Sequence, residues 1–350
     1  MSVKHSLCLL VPFAIACGGT SSPQAPDGAL VDAAAQDGTT DASLVDAPAA
    51  VPVTLAMNEP RPTAIATFAG TVYWTTDPAA NQGQVRKIAP GGLPEQLVST
   101  LQDRPSTIAA GTGFLEPNVW WGTAALLGQV KQIAATGAPP TSIYNVNDLV
   151  YTLVLDGDSI FYGTRSALYR KGLANSVSPT LMVGGFGNGV TAVDADATGA
   201  VFAARKLDGT WLVDSIERTG TDPTFLSSTT ESVAGIAIAS GYVFWLEPHA
   251  IKRVARTGGI NTTVTTFPLL ESPAAIVADQ SQLFVAVNQG VINPSGATGR
   301  ILRIDAVTGV VTELASAQAE PVAIAVDATH VYWANAGIGA NHGEIVKLAR

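Results

Sequence analysis

Val72-Tyr73-Trp74, Val119-Trp120-Trp121, Val243-Phe244-Trp245 and Val331-Tyr332-Trp333 are four clear copies of one short stretch, and their spacing decides the fold. Three weaker copies fill the gaps: Ile160-Phe161-Tyr162, Val201-Phe202-Ala203 and Leu283-Phe284-Val285. The third residues recur every forty to forty-eight positions. A period of that size marks a repeat architecture, in which each unit buries its apolar surface against its neighbours.

Reading outward from the last copy gives the content of one unit. Val322-Ala323-Ile324-Ala325-Val326 alternates large and small residues as a first strand, and Asp327-Ala328-Thr329 turns the chain into Val331-Tyr332-Trp333. Gly343-Glu344-Ile345-Val346-Lys347-Leu348 then mixes apolar and charged residues as a half-exposed third strand. The first copy supplies the fourth strand: after residues 83–88 and the turn Pro90-Gly91-Gly92 comes Glu95-Gln96-Leu97-Val98-Ser99. Four antiparallel strands per repeat form the blade of a β-propeller. The same order predicts third strands at 128–133, 167–171, 213–218, 251–254 and 299–304. Fourth strands are expected at 141–146, 180–183, 224–227, 262–267 and 311–315. Asp156, Asp196, Asp279 and Asp327 fall between first and second strands, where a carboxylate can bond the turn backbone. The most eroded copy lies around Asp194 to Arg205.

The last copy is one strand short, and Val53-Thr54-Leu55-Ala56 matches Val311-Thr312-Glu313-Leu314-Ala315. Leu55 precedes Pro62 by the same distance as Leu314 precedes Pro321. The N-terminal strand is therefore expected to complete the C-terminal blade and close the ring, leaving no open edge. The predicted class is all-β, a seven-bladed β-propeller of four-stranded antiparallel blades over residues 51–350. A six-bladed ring is the alternative if the eroded copy costs a blade. The alternating triplet side chains should face the two neighbouring blades, with Trp as packing rather than a stacking platform for sugars or bases.

Composition agrees with a turn-rich β protein: 13% charged residues, 47% hydrophobic, 34 Gly and 21 Pro in 350 residues. A formal charge of −9 offers no basic footprint, so nucleic acid is excluded as a partner. Cys8 and Cys17 are the only cysteines, so the propeller has no internal disulfide and no thiol nucleophile. Lys4 and His5, an apolar run over residues 7–16 and small residues before Cys17 predict a secretory signal at 1–16. The run is shorter than the roughly 20 residues a spanning helix needs. Residues 18–50 hold Asp27, Asp32, Asp37, Asp41 and Asp46 among Gly, Ser, Thr, Pro and Ala, without Lys or Arg. Such a segment cannot bury enough apolar surface to offset its ordering entropy, and an acidic flexible linker is expected over 17–50.

Ala14-Ile15-Ala16-Cys17 resembles the bacterial lipobox, with Ala14 where Leu is usual. The resemblance implies that Cys17 is lipidated and that Gly18 directs the chain to the outer membrane, on its periplasmic side or at the cell surface. Ordinary cleavage near Ala16, giving a secreted or periplasmic protein, is the alternative. Tyr73-Trp74-Thr75 and the run from Asp327 to Trp333 resemble bacterial propeller repeats of the YWTD, NHL and TolB-like kind, as in envelope propeller proteins. Those motifs are structural and carry no catalytic residues across. Some propellers with similar blades are lyases or lactonases holding a divalent metal over the central channel, which sets the alternative function as a metal-dependent lyase or hydrolase.

Little in the chain itself points to catalysis. His249, His330 and His342 are isolated and read as turn and surface residues. No metalloprotease helix motif, nucleophile elbow or phosphate loop occurs. Residues 184–189 read as a connector, and residues 194–199 lack the third carboxylate and closing Glu of a calcium loop. No catalytic residue, metal or cofactor is assigned. One asymmetry remains. The loops between second and third strands share one face of a propeller, and the longest belong to repeats six, seven and one, neighbours after closure. They carry Asn288, Gln289 and Asn293, then Asn335, Asn341 and His342, then Asp77, Asn81 and Gln82. Long loops on a rigid scaffold are where binding resides, and amide-rich content suits a glycan or an envelope protein. The reading is a monomeric, non-catalytic binding module touching membrane only through a lipid. Neutral variation in loop length is the competing explanation.

Overall fold

In the computed structural model, residues 50–113, 116–137, 141–173, 178–289, 298–337 and 341–350 are described. The signal, Cys17, the linker through residue 49 and Asn293 lie outside them. The described chain is all-β and forms seven four-stranded antiparallel sheets arranged as the blades of a propeller. Blade 1 runs outward from β2 (Pro62–Phe68) through β3 (Thr71–Thr76) and β4 (Gln84–Ile88) to β5 (Glu95–Gln96). Blade 7 is built from β26 (Pro321–Val326), β27 (His330–Asn335) and β28 (Gly343–Ala349), with β1 (Val53–Glu59) as its outermost strand. Thr54 stands opposite Val346, Ala56 opposite Ile345 and Met57 opposite Glu344. The N-terminal strand closes the ring as the sequence predicts.

The core is divided among the seams. Seven apolar clusters each join two consecutive blades. Between blades 7 and 1, Trp74, Ile65 and Val72 meet Ala323, Ala325 and Tyr332, with Ala56 of the closing strand in the same cluster. Tyr73 points the other way, into the cluster holding Trp121 of blade 2. Successive residues of a strand face opposite sides, so in every blade but the fourth the third triplet residue meets the preceding blade and the second meets the following one. Trp74, Trp120, Trp121, Trp245 and Trp333 are at most 1% exposed, which makes them packing residues and removes them as a sugar-stacking surface.

Blade 4 shows why its copy looks eroded. Phe202 of β15 (Gly199–Arg205) pairs with Val193 and packs toward blade 3 with Phe161 and Ile216. It stands third after the turn-closing residue Gly199, as Trp74 stands third after Thr71. The aromatic thus occupies the tryptophan position, which the sequence reading had given to Ala203. Ala203 instead packs with Val201 toward blade 5. The ring keeps all seven blades.

Two turn aspartates behave as expected. Asp196 accepts from the backbone N–H of Thr198 at 2.9 Å, and Asp327 from those of Thr329 and His330 at 2.8 Å. Asp156 and Asp279 have a further use that spacing along the chain does not reveal. Each pairs with an arginine at the end of the next blade's third strand, Arg218 for Asp156 and Arg350 for Asp279. Arg256 reaches Asp196 in the same sense at 3.5 Å. These partly exposed pairs fix seam register more than they add stability, since exposed ion pairs contribute about 0–1 kcal/mol. Nearer the axis, Thr63 Oγ1 donates to Pro105 O at 2.9 Å, Ser106 Oγ to Val150 O at 2.7 Å and Thr191 Oγ1 to Val233 O at 3.1 Å. Three of the seven seams are therefore bridged near the axis by a hydroxyl.

Candidate functional site

Antiparallel alternation puts the loops between second and third strands on one face, together with the connectors that lead into each new blade. On that face the connectors into blades 7, 1 and 2 share a short pattern: Gln318-Ala319-Glu320-Pro321, Glu59-Pro60-Arg61-Pro62 and Gln102-Asp103-Arg104-Pro105. In each, the first side chain accepts the buried indole N–H of the blade it introduces. Trp333 Nε1 donates to Gln318 Oε1 at 2.7 Å, Trp74 Nε1 to Glu59 Oε2 at 2.8 Å and Trp121 Nε1 to Gln102 Oε1 at 3.3 Å. Burial raises the Glu59 carboxyl above its ordinary range, opposed by the Trp74 bond and by Arg86, whose Nε lies 3.5 Å away.

The proline of each pattern meets a glycine that opens the third strand of the blade before. A Cβ on Gly299 would lie 2.4 Å from Pro321 Cδ, on Gly343 2.3 Å from Pro62 Cδ, and on Gly83 2.2 Å from Pro105 Cδ. No larger residue fits there without moving the seam. The three seams from blade 6 through blade 2 are thus closed in one way, and the loops above them stand on a rigid base.

The sequence-predicted residues occupy this face in different roles. Asp77 follows β3 directly, and its N–H donates to Arg61 O at 3.0 Å. Desolvation raises its carboxyl, with Arg104 and then Arg61 pulling it down and Asp103 pushing it up. Asn81, exposed and at φ 58°, sends its N–H toward Asp103 Oδ1 at 3.4 Å, and Gln82 is exposed beside it. Asn288 and Gln289 end β23 (Gln282–Gln289), the first half-buried and the second exposed. Asn335 is 1% exposed, and its Nδ2 donates to Gln318 Oε1 at 3.1 Å, the oxygen that also takes the Trp333 indole. Asn341 and His342 are exposed, Asn341 at φ 59°. Asn335 therefore belongs to the scaffold, while Asn81, Gln82, Gln289, Asn341 and His342 face solvent. Buried oxygens of Thr76, Asp77, Asn288 and Asn335, all at the loop-bearing ends of second strands in blades 1, 6 and 7, find no hydrogen-bond partner among the described residues.

One feature of this face lies beyond the sequence reading. A cavity of about 610 Å³ opens at the seam of blades 1 and 2, lined by Asn81, Asp103, Arg104, Leu126, Leu127 and Lys131. Only Asn81 was in the predicted set. The connector pattern repeated before Pro62, Pro105 and Pro321 was the signal that could have extended the set to blade 2. Two further cavities lie on the opposite face: one of about 540 Å³ beside Asp279, Asp327 and Arg350, another of about 400 Å³ beside Pro90, His330 and Lys347.

The histidines are dispersed. His249 sits in the blade 5 turn with Nδ1 3.1 Å from Glu271 O, and His330 begins β27 on the face opposite His342. Among the described residues no group of three or more His, Cys, Asp or Glu is placed to hold a metal ion.

No protein-family model matches the chain, and no curated protein matches it. Solved structures resemble it in fold. A puromycin-hydrolyzing peptidase of Mycobacterium tuberculosis superposes with a TM-score of 0.60 at 12% identity, covering 80% of this chain and 50% of that one. PorZ, a bacterial surface component of the type-IX secretion system of Porphyromonas gingivalis, superposes at 0.59 with 16% identity, covering 86% of this chain and 39% of that one. The computationally designed Ika8 protein superposes at 0.57 with 17% identity, covering 83% of both chains. Likeness at such identities establishes the propeller fold, in a peptidase and in proteins of other kinds alike.

Proposed function

We propose that this chain is an exported lipoprotein, anchored through Cys17 at the outer membrane, whose propeller is a non-catalytic binding module. Its repeats are of the YWTD, NHL or TolB-like kind, and it acts as a monomer. Its partner is an envelope protein or glycan, met by the face of blades 6, 7 and 1 and extending to blade 2. The observation that carries the reading is the coincidence on one face of two independent features. The exposed polar loop residues stand above the three seams closed by the indole–Glu/Gln and Gly–Pro contacts. A rigid base under variable loops is the usual design of a recognition surface.

The test uses the full chain as bait on detergent-solubilised envelope, with mass spectrometry of what is retained. The comparison variant combines Asn81→Gly, Gln82→Ala, Gln289→Ala and Asn341→Gly. All four positions are exposed, and glycine preserves the left-handed backbone at 81 and 341. The expected result is one component retained near equimolar ratio by the wild-type chain and lost with the variant. Equal retention by both proteins, or stoichiometric divalent metal with substrate turnover, would overturn it.

A further inference from the structure

The cavity between blades 1 and 2 combines charge and apolar surface in a way that identifies a ligand class. Two cations reach it. Arg104 is exposed on the connector, and its guanidinium makes no hydrogen bond among the described residues. Lys131 donates Nζ to Gln102 Oε1 at 2.9 Å, which leaves two of its three ammonium hydrogens for another acceptor. Asp103 is the one carboxylate in the lining. Behind the wall lies Asp77, drawn first to Arg104 and then to Arg61, so that Arg104, Lys131 and Arg61 against Asp103 and Asp77 leave one positive charge in excess. The cavity is therefore locally positive in a chain of formal charge −9, and attracts negative groups.

Its other wall is apolar. Leu126 is 84% and Leu127 73% exposed, adjacent on the loop after β7 (Pro117–Thr123), and Leu149 lines the cavity with them. Adjacent exposed leucines beside a cavity mark a contact surface. A sugar would need an aromatic face to stack on, and the tryptophans of this region are closed off in the seams. A peptide with an acidic residue beside a branched apolar one satisfies both walls. A volume of about 610 Å³ lies within the range of small-ligand pockets, roughly 300–1,000 Å³, and suits a few residues of extended chain.

We propose that this seam cavity docks an acidic–apolar segment of a protein partner, its carboxylate held by Arg104 and Lys131 and its apolar side chain lying on Leu126, Leu127 and Leu149. The proposal rests on the binding-module reading and narrows its partner from envelope protein or glycan to protein.

The test is fluorescence anisotropy of the full chain with a labelled eight-residue peptide of alternating Asp and Leu, against Lys/Leu and Asp/Ser counterparts. The Asp/Leu peptide should bind, and the two counterparts should not. Arg104→Glu should weaken it about tenfold or more, the loss expected for one charged hydrogen bond. The pair Leu126→Ser and Leu127→Ser should weaken it likewise, and salt should weaken it further. Leu93→Ser, 85% exposed on the opposite face, should change nothing. Equal binding of the Lys/Leu peptide, unchanged affinity in Arg104→Glu, or no binding of any peptide would overturn the seam site. Repeating the envelope capture with Arg104→Glu separates the two claims. A partner captured by wild type and undiminished by Arg104→Glu refutes the seam while the module reading stands. No captured partner refutes the module reading itself.

Discussion

Deleting residues 53–59 should give a chain that no longer melts as one cooperative ring. Among the described residues they supply the one strand on the outer edge of β28, so their loss exposes unpaired backbone groups between Gly343 and Lys347. The deletion also removes two buried side chains, Ala56 at 3% exposure and Glu59 at 2%. Without Glu59 the Trp74 indole N–H and the Arg86 guanidinium lose their carboxylate in the interior. An unmet buried donor costs about 1–3 kcal/mol, before the lost strand pairing is counted. Against a total stability of about 5–15 kcal/mol, the combined loss is severe. Calorimetry should show a lower, broader transition, and hydrogen exchange should become fast in residues 343–347. A deleted chain with the wild-type melting profile and slow exchange there would show that β1 does not close the ring.

The second large effect is a pH dependence carried by blade 4. Asp214 lies on β16 (Trp211–Glu217) opposite Phe202 and Phe225, is 6% exposed, and has one carboxylate oxygen without a partner among the described residues. Burial pushes its carboxyl up to about 6, with Lys206 pulling weakly the other way. Asp194, half-buried at the seam with blade 5 and accepting the N–H of Ile238, is likewise pushed up to about 6. A carboxyl whose pKa is higher folded than unfolded favours the folded state when protonated. Its contribution is complete below about pH 4, the unfolded value, and is lost as the pH rises through about 6. A shift of roughly two units corresponds to about 3 kcal/mol for each group at pH 8. Asp214→Asn should therefore raise the melting temperature by several degrees at pH 8 and leave it unchanged at pH 4. The same shift at both pH values would assign the effect to packing instead of ionisation.

The sequence made the architecture legible because a repeat states the same packing problem seven times. The triplets, the glycine turns and the match of Val53-Thr54-Leu55-Ala56 to Val311-Thr312-Glu313-Leu314-Ala315 each reflect local geometry, and β1 pairs as that match requires. The exceptions come from contacts between blades. Phe202 holds the tryptophan position because its register is counted from the Asp196–Gly199 turn, which composition alone does not mark. Asp156 and Asp279 look like turn residues, and their arginines lie 62 and 71 positions away. The face with the long loops was readable from loop length. The cavity at blades 1 and 2 was not, because Asn81, Asp103 with Arg104, Leu126 to Lys131, and Leu149 come from four separate stretches that only the packing of the blades brings together.

Hydroxyl-radical footprinting of the chain in its native envelope, compared with the purified chain, reads the proposed binding face directly. Leu126, Leu127 and Leu207 are exposed on the loop-bearing face, and Leu93, Ile260 and Val310 on the turns of the other. An occupied binding module predicts protection in the envelope at Leu126 and Leu127, with Leu93, Ile260 and Val310 modified as in the purified chain. Equal modification of both faces, or protection confined to Leu93, Ile260 and Val310, would contradict it.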